Sequence, residues 1–203
     1  MTLIGTMIDA TYVQGQNPNI KNVTQADLAK AALQAQESNQ QAAMTLVNSF
    51  KEDYGNGVST LVMLYNATGA ELALRSSDDS SGHIGKYPYD LTIQNGQWSV
   101  FLHVHTSGTA GGSVGAVGYN VEDGNTKPVA VVAWDNPYSG SPKAFGDCWG
   151  SDTYAKASWD FVYTRADQGG TSGTSGVHNG YFVPYSIGQT SSPIFQASFQ
   201  MAT

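Results

Sequence analysis

The chain has 203 residues, a formal net charge of -7, 12% charged residues, 23 glycines and one cysteine. That length suits one large domain able to bury an apolar core without staples, and the lone Cys148 excludes an intrachain disulfide. The acidic balance, with no Lys/Arg cluster, argues against nucleic acid and against electrostatic docking on anionic lipid, while a neutral or zwitterionic head group stays open.

Residues 1–23 form an N-terminal extension. Met1 to Gly15 is mildly apolar, carries Asp9 and lacks a basic region followed by a long apolar stretch, which predicts a cytoplasmic protein. On that basis the sequons Asn22-Val23-Thr24 and Asn66-Ala67-Thr68 read as chance matches. Thr24 and Asp27 predict a capping box opening a helix over residues 24–53, closed by Gly55-Asn56-Gly57. Leu28, Ala32, Ala35, Ala42, Leu46 and Phe50, with Ala43 and Val47 alongside, share one face. The polar centre from Glu37 to Gln41 leaves one helix or two equally open.

Beyond Gly57 the period falls to about two, and turn residues recur every eight to twelve positions, predicting a β-sandwich over residues 58–203. Val58 to Tyr65 reads as a strand covered on both faces. Trp98 to His105, Ala157 to Tyr163 and Phe195 to Met201 alternate as strands with one wet face, and Pro128 to Trp134 is a buried strand. Ser76 to Gly85 and the Gly/Ser/Thr-rich Gly169 to Gly180 read as loops, the second mobile.

Gly111-Gly112-Ser113-Val114-Gly115 matches the pattern of a nucleophile elbow, but strand-like residues follow where a helix is required, so the reading is not enzymatic. His103 and His105 lie two apart on a strand and point to one face, where a metal needs a third ligand from His83, His178 or a carboxylate. A solvated strand face explains the pair without any metal, and no cofactor is expected. Among the aromatics from Trp134 to Trp159, Trp134 and Trp159 fit the core, whereas Tyr138 and Trp149 are candidate surface contacts for a sugar face or a choline. Some thirty helical residues also exceed the roughly 30 Å hydrocarbon thickness, so length permits insertion, although an alanine-rich face suits permanent packing better.

The run Tyr54-Gly55-Asn56-Gly57-Val58-Ser59-Thr60-Leu61, with Tyr65-Asn66-Ala67-Thr68-Gly69, Gly82-His83-Ile84-Gly85, Ile93-Gln94-Asn95-Gly96-Gln97-Trp98, Phe101-Leu102-His103 and Ala133-Trp134-Asp135-Asn136-Pro137, resembles the plant 23 kDa jasmonate-induced protein family. That resemblance implies a plant stress or defence protein. Gly112 to Tyr119, then Asp123-Gly124-Asn125-Thr126 and Pro137-Tyr138, is similar to actinoporin-like cytolysins and related fungal lectins, and the Trp-x-x-Pro-aromatic turn to aegerolysins. This second resemblance implies an antiparallel β-sandwich with an N-terminal helix packed against it. It implies membrane-lipid or glycan binding, and a pore-forming, insecticidal or cytolytic action by oligomers on a membrane, with a lectin-like module lacking pores as the alternative.

Ser81, His83, Val114, Asp135, Pro137, Tyr138 and Trp149 are the implied ligand contacts, and Leu28, Ala32, Ala35, Leu46 and Phe50 the implied insertion face. Asp135 departs from the cytolysin pattern, because it sets a negative charge beside any phosphate.

Overall fold

The computed structural model describes residues 2–202. After β1 (Leu3–Ile4) and α1 (Ala10–Gln16) comes α2 (Gln25–Tyr54), a single unbroken helix. Strands follow as β2 (Ser59–Ala67), β3 (Leu72–Ser81), β4 (His83–Ile84), β5 (Thr92–Ile93), β6 (Trp98–Val104), β7 (Ser113–Val121), β8 (Val129–Asn136) and β9 (Lys143–Trp149). Two helices, α3 (Ser151–Lys156) and α4 (Trp159–Asp167), precede β10 (Ser172–Thr174), β11 (Tyr181–Phe182), β12 (Pro184–Ile187) and β13 (Ile194–Met201).

One sheet runs β1-β6-β2-β13-β12-β10, with β4 added to β6 and β11 to β13; the other runs β5-β3-β7-β8-β9. The expected sandwich is therefore present, but β13, which follows its antiparallel neighbour β12 in the same sheet, runs parallel to β2. Helices cover both outer faces. Val62, Leu64, Phe101, Val117, Tyr119, Trp134 and Phe195 fill the space between the sheets, α2 packs on Leu61, Met63, Tyr65, Trp98 and Val100, and Val162 and Ala166 of α4 pack on Ala116, Val131 and Ala133. Fully burying one such Val, Leu or Phe is worth about 1.5–3 kcal/mol.

The capping box forms as expected: Asp27 N–H donates to Thr24 Oγ1 at 3.2 Å, and Thr24 N–H donates to Asp27 Oδ2 at 2.9 Å. The Thr24 hydroxyl, which donates to Asp27 Oδ2 at 2.6 Å, and then the Thr24 N–H hold the Asp27 carboxyl below its ordinary range. The polar centre of α2 stays helical because it lies over a polar stretch of β13, where Gln40 Nε2 donates to Gln196 Oε1 at 3.0 Å. Ala29, Ala32 and Ala43 are buried, and their small side chains let the helix backbone approach the sheet. Three sheet-side donors then reach helix carbonyls one turn apart: Asn95 Nδ2 to Leu28 at 3.1 Å, Tyr65 Oη to Ala32 at 2.6 Å and Trp98 Nε1 to Gln36 at 3.1 Å. Of the implied insertion face, Ala32 and Phe50 are buried against the sheet, while Leu28, Ala35 and Leu46 are half-buried around them. No helix among the described residues is long and apolar enough to cross a membrane.

Four sequence expectations need correction. The stretch Ala157 to Tyr163 is not a strand: Ser158 caps α4 by accepting from Phe161 N–H, Val162 and Ala166 face the sheet one turn apart, and Phe161 points outward, 51% exposed. Its aromatics at every second position mimicked a strand. Nor does β6 have a wet face. Ser99 and His103 point into the sandwich, where hydrogen bonds replace water, while Trp98, Val100, Leu102 and Val104 face α2.

Ser76 to Gly85 is not a loop but the second half of β3 followed by β4. Its polar residues are satisfied from the helices, Ser76 Oγ by Tyr154 Oη at 2.8 Å and Asp78 Oδ2 by Tyr163 Oη at 2.9 Å. The segment Gly169 to Gly180 likewise holds β10, which pairs β12. The sequon at Asn66 sits inside the fold, its amide donating to the Ala70 and Ile93 carbonyls.

Candidate functional site

One end of the sandwich gathers the end of β3, the start of β7 and the turn between β8 and β9. Gly82 makes the corner there: its φ of +94° suits glycine, and a Cβ would stand 2.3 Å from the Val104 carbonyl oxygen. The chain thereby crosses from one sheet to the other between Ser81 and His83. Ser81 is opposite Val114, Val114 opposite Asp135, and Asp135 opposite Lys143, so these four form one row across the outer face of four strands. Ser81 Oγ donates to the Gly112 carbonyl at 3.3 Å, and Gly112 presses on Asn136 and Pro137 so closely that a Cβ would lie 2.3 Å from Asn136 O. The structure thus brings together Ser81, Val114, Asp135 and Pro137. Tyr138 projects beyond them, 57% exposed.

The row is acidic and partly neutralised. Lys143 Nζ donates to Asp167 Oδ1 at 2.8 Å. Burial, then the neighbouring Asp167, pushes the Asp135 carboxyl above its ordinary value, and Lys143 opposes that shift. A raised carboxyl is easier to neutralise beside a phosphate than a free one.

His83 is exposed on β4, its Nδ1 2.8 Å from the Ile84 carbonyl, and its charge helps hold the Asp79 carboxyl down. Trp149 does not join them. It lies at the far end of β9, 9% exposed, with its indole N–H donated to Asp147 Oδ2 and its rings among Phe145, Tyr154 and Phe161. The expectation of a surface contact at Trp149 is corrected: α3 and α4, which cover it, were hidden behind a strand-like pattern.

Beneath the row lies a cluster that sequence reasoning only half saw. Ser113 Oγ is 2.8 Å from His103 Nδ1 and 2.8 Å from Thr60 Oγ1, and His103 Nε2 is 3.1 Å from Asp79 Oδ1. The hydrogen bond from His103, foremost, keeps the Asp79 carboxyl below its ordinary range. Serine, histidine and aspartate in series also make a hydrolase triad. Here Ser113 and His103 have no exposed surface, and β7 begins at Ser113 instead of a turn entering a helix, so the nucleophile-elbow reading of the motif fails. What the cluster does is tie the sheets together, since His103 and Thr60 come from one and Ser113 and Asp79 from the other.

With both ring nitrogens of His103 engaged, it has none to share with His105, which instead lies against Gly57 and Tyr54. No group of three or more metal-ligating side chains occurs among the described residues. Asp79 was missed because Asp78-Asp79 reads as a polar loop.

By class, then, the molecule is a two-sheet β-sandwich with a long helix packed on one face and a loop-built end that carries an exposed tyrosine. The chain belongs to the Nakanori-like protein family, whose model matches residues 4–202. It is 37% identical over 166 residues to the 23 kDa jasmonate-induced protein of Hordeum vulgare, 79% of either chain, as its motifs led one to expect. The crystal structure of the lipid binding protein Nakanori aligns over 98% of this chain and 99% of that one, with a TM-score of 0.90 and 27% identity. The Xerocomus chrysenteron lectin XCL aligns over 70% of this chain and 98% of its own, with 10% identity and a TM-score of 0.48.

Proposed function

We propose that this protein binds lipid head groups at a membrane surface through the end of the sandwich built by Ser81, Val114, Asp135, Pro137 and Tyr138, with His83 beside it. The observation that carries the reading is the correspondence, over nearly the whole chain, to a protein described as lipid binding. The low surface charge and the exposed Tyr138 support a neutral or zwitterionic partner, which an amphipathic ring can meet at the water interface. Likeness to a jasmonate-induced protein supports a role in plant stress or defence.

Binding with α2 docked is favoured over insertion. Releasing the helix would break the bonds to the Leu28, Ala32 and Gln36 carbonyls and uncover Met63, Tyr65 and Trp98. Three hydrogen bonds at about 1 kcal/mol each, plus that apolar area, set a cost that a membrane would have to offset.

The test is co-sedimentation with phosphatidylcholine or sphingomyelin liposomes, run together with dye release. Binding without release is expected, and Tyr138→Ala should weaken it. Absence of binding to any vesicle composition overturns the lipid reading. Release that disappears when α2 is locked to β2 by an engineered disulfide would instead establish insertion.

A further inference from the structure

A second recess lies on the open edge of the sandwich, between β9, the C-terminal end of α4 and the segment around β10. It has a volume of about 500 Å³ and is lined by Asp147, Arg165, Gln168, Ser175, His178 and Tyr185, with glycines between them. Nothing in the lipid reading uses it.

Its wall is organised by a buried carboxylate. Asp147 Oδ1 accepts from Cys148 N–H at 2.8 Å and meets His178 Nδ1 at 2.8 Å, while Oδ2 accepts from Trp149 Nε1 at 2.8 Å. Both carboxylate oxygens are therefore spent inside the protein. His178 is half exposed, yet this bond fixes its ring, leaving Nε2 as the free nitrogen beside Gly176. A Cβ at Gly176 would stand 3.2 Å from that nitrogen, so the glycine keeps the approach open. Across the recess the Arg165 guanidinium lies over the Phe145 ring at 5.4 Å, which restrains it, and among the described residues it forms no ion pair.

What faces the space is a guanidinium held against a ring, an imidazole whose Nε2 accepts because its Nδ1–H is given to Asp147, and the Gln168 amide, which can do both. A ligand with an oxyanion for Arg165 and hydroxyls for His178 Nε2 and Gln168 satisfies them, since a guanidinium matches a planar or tetrahedral oxyanion. The volume exceeds what an inorganic anion fills and leaves room for a ring with hydroxyls that Gln168 and His178 Nε2 can meet. We infer that this recess binds a sugar carrying a carboxylate or a sulfate, independently of the lipid-binding end.

Calorimetric titration of the full chain tests this with four probes: a glucuronic-acid disaccharide, a sulfated galactose disaccharide, neutral lactose and inorganic sulfate. At least one acidic sugar should bind about tenfold or more tighter than lactose and sulfate, the change expected for one hydrogen bond to a charged group. Arg165→Gln and His178→Gln should each weaken it by a similar factor with liposome binding unchanged, and Arg165→Gln should also leave the melting temperature unchanged. Arg165→Lys controls for loss of packing and should retain part of the affinity.

Equal binding of lactose, equal binding of sulfate alone, no binding of either acidic sugar, or full affinity in Arg165→Gln would each overturn the inference. Because no vesicle enters the titration, its failure is separable from failure of the lipid reading.

Discussion

The Tyr65 hydroxyl leaves the sheet to donate a 2.6 Å hydrogen bond to the Ala32 carbonyl of α2, a contact that only an alanine-faced helix lets a tyrosine make. The bond joins the helix to the central strand of the first sheet, between the bonds to Leu28 and Gln36 one turn to either side. Tyr65→Phe removes it while keeping the ring. A loss of about 1 kcal/mol is expected, a fall in melting temperature of roughly 2–4 °C for a domain of this size. Thermal unfolding followed by circular dichroism checks it, and an unchanged midpoint would show the contact contributes nothing.

Alkali should unfold the protein cooperatively. Burial, as the first cause, raises the phenols of Tyr65, Tyr89, Tyr119 and Tyr163 above their ordinary value, and lifts Tyr181 to about 12. A phenol whose folded value is raised binds its proton more tightly in the native state. Its contribution is complete below the unfolded value near 10 and is lost as pH rises above it. Phenolate absorbance should therefore appear together with loss of helical signal above about pH 10. Gradual ionisation of these tyrosines with the fold intact would contradict the burial described for them.

On the acid side the relevant group is Asp79. Its carboxyl is depressed, so its stabilising effect is present above the unfolded value of about 4 and is lost as pH falls through the folded value. Asp79→Asn should lower stability at neutral pH by about 1.5–3 kcal/mol, the range for a hydrogen bond to a charged group, and flatten the acid limb of the stability profile. Urea unfolding at several pH values measures both effects.

Cys148 should be inert until the protein unfolds. It is buried, and burial followed by the nearby Asp147 pushes its thiol up to about 12, which suppresses the thiolate that reacts. Ellman's reagent should label it only in denaturant, and reductant should leave the melting temperature unchanged. Rapid labelling of native protein would place the thiol at the surface.

Trp149 and Tyr138 should separate stability from binding. Trp149→Ala removes a ring packed under α3 and α4 and is expected to cost about 3–5 kcal/mol. Tyr138→Ala touches an exposed ring and should leave stability within about 0.5 kcal/mol of wild type while reducing liposome binding. The reverse pattern would move the binding surface to the other end of β9.

How far the chain could be read follows from the range over which each signal acts. The capping box at Thr24 and Asp27, the buried β2 and β8 and the non-elbow setting of Ser113 were legible because each is a pattern within a few neighbouring residues, while the face of α2 was legible in part, Ala32, Ala43, Val47 and Phe50 being buried and Ala42 exposed. The family motifs were legible for the same reason, and the resemblance singled out Ser81, Val114, Asp135 and Pro137, which the fold brings to one end of the sandwich. What tertiary structure alone decided was which face meets water. His103 looks solvated in sequence and is enclosed, because a second sheet supplies Ser113 and Asp79. Trp159 to Tyr163 alternates like a strand and is a helix, because Ser158 caps it and β7, β8 and β9 offer an apolar surface to Val162 and Ala166. Local spacing sets what a segment can become; burial depends on partners far away in the chain, and only their arrival makes a polar side chain into a tie between sheets.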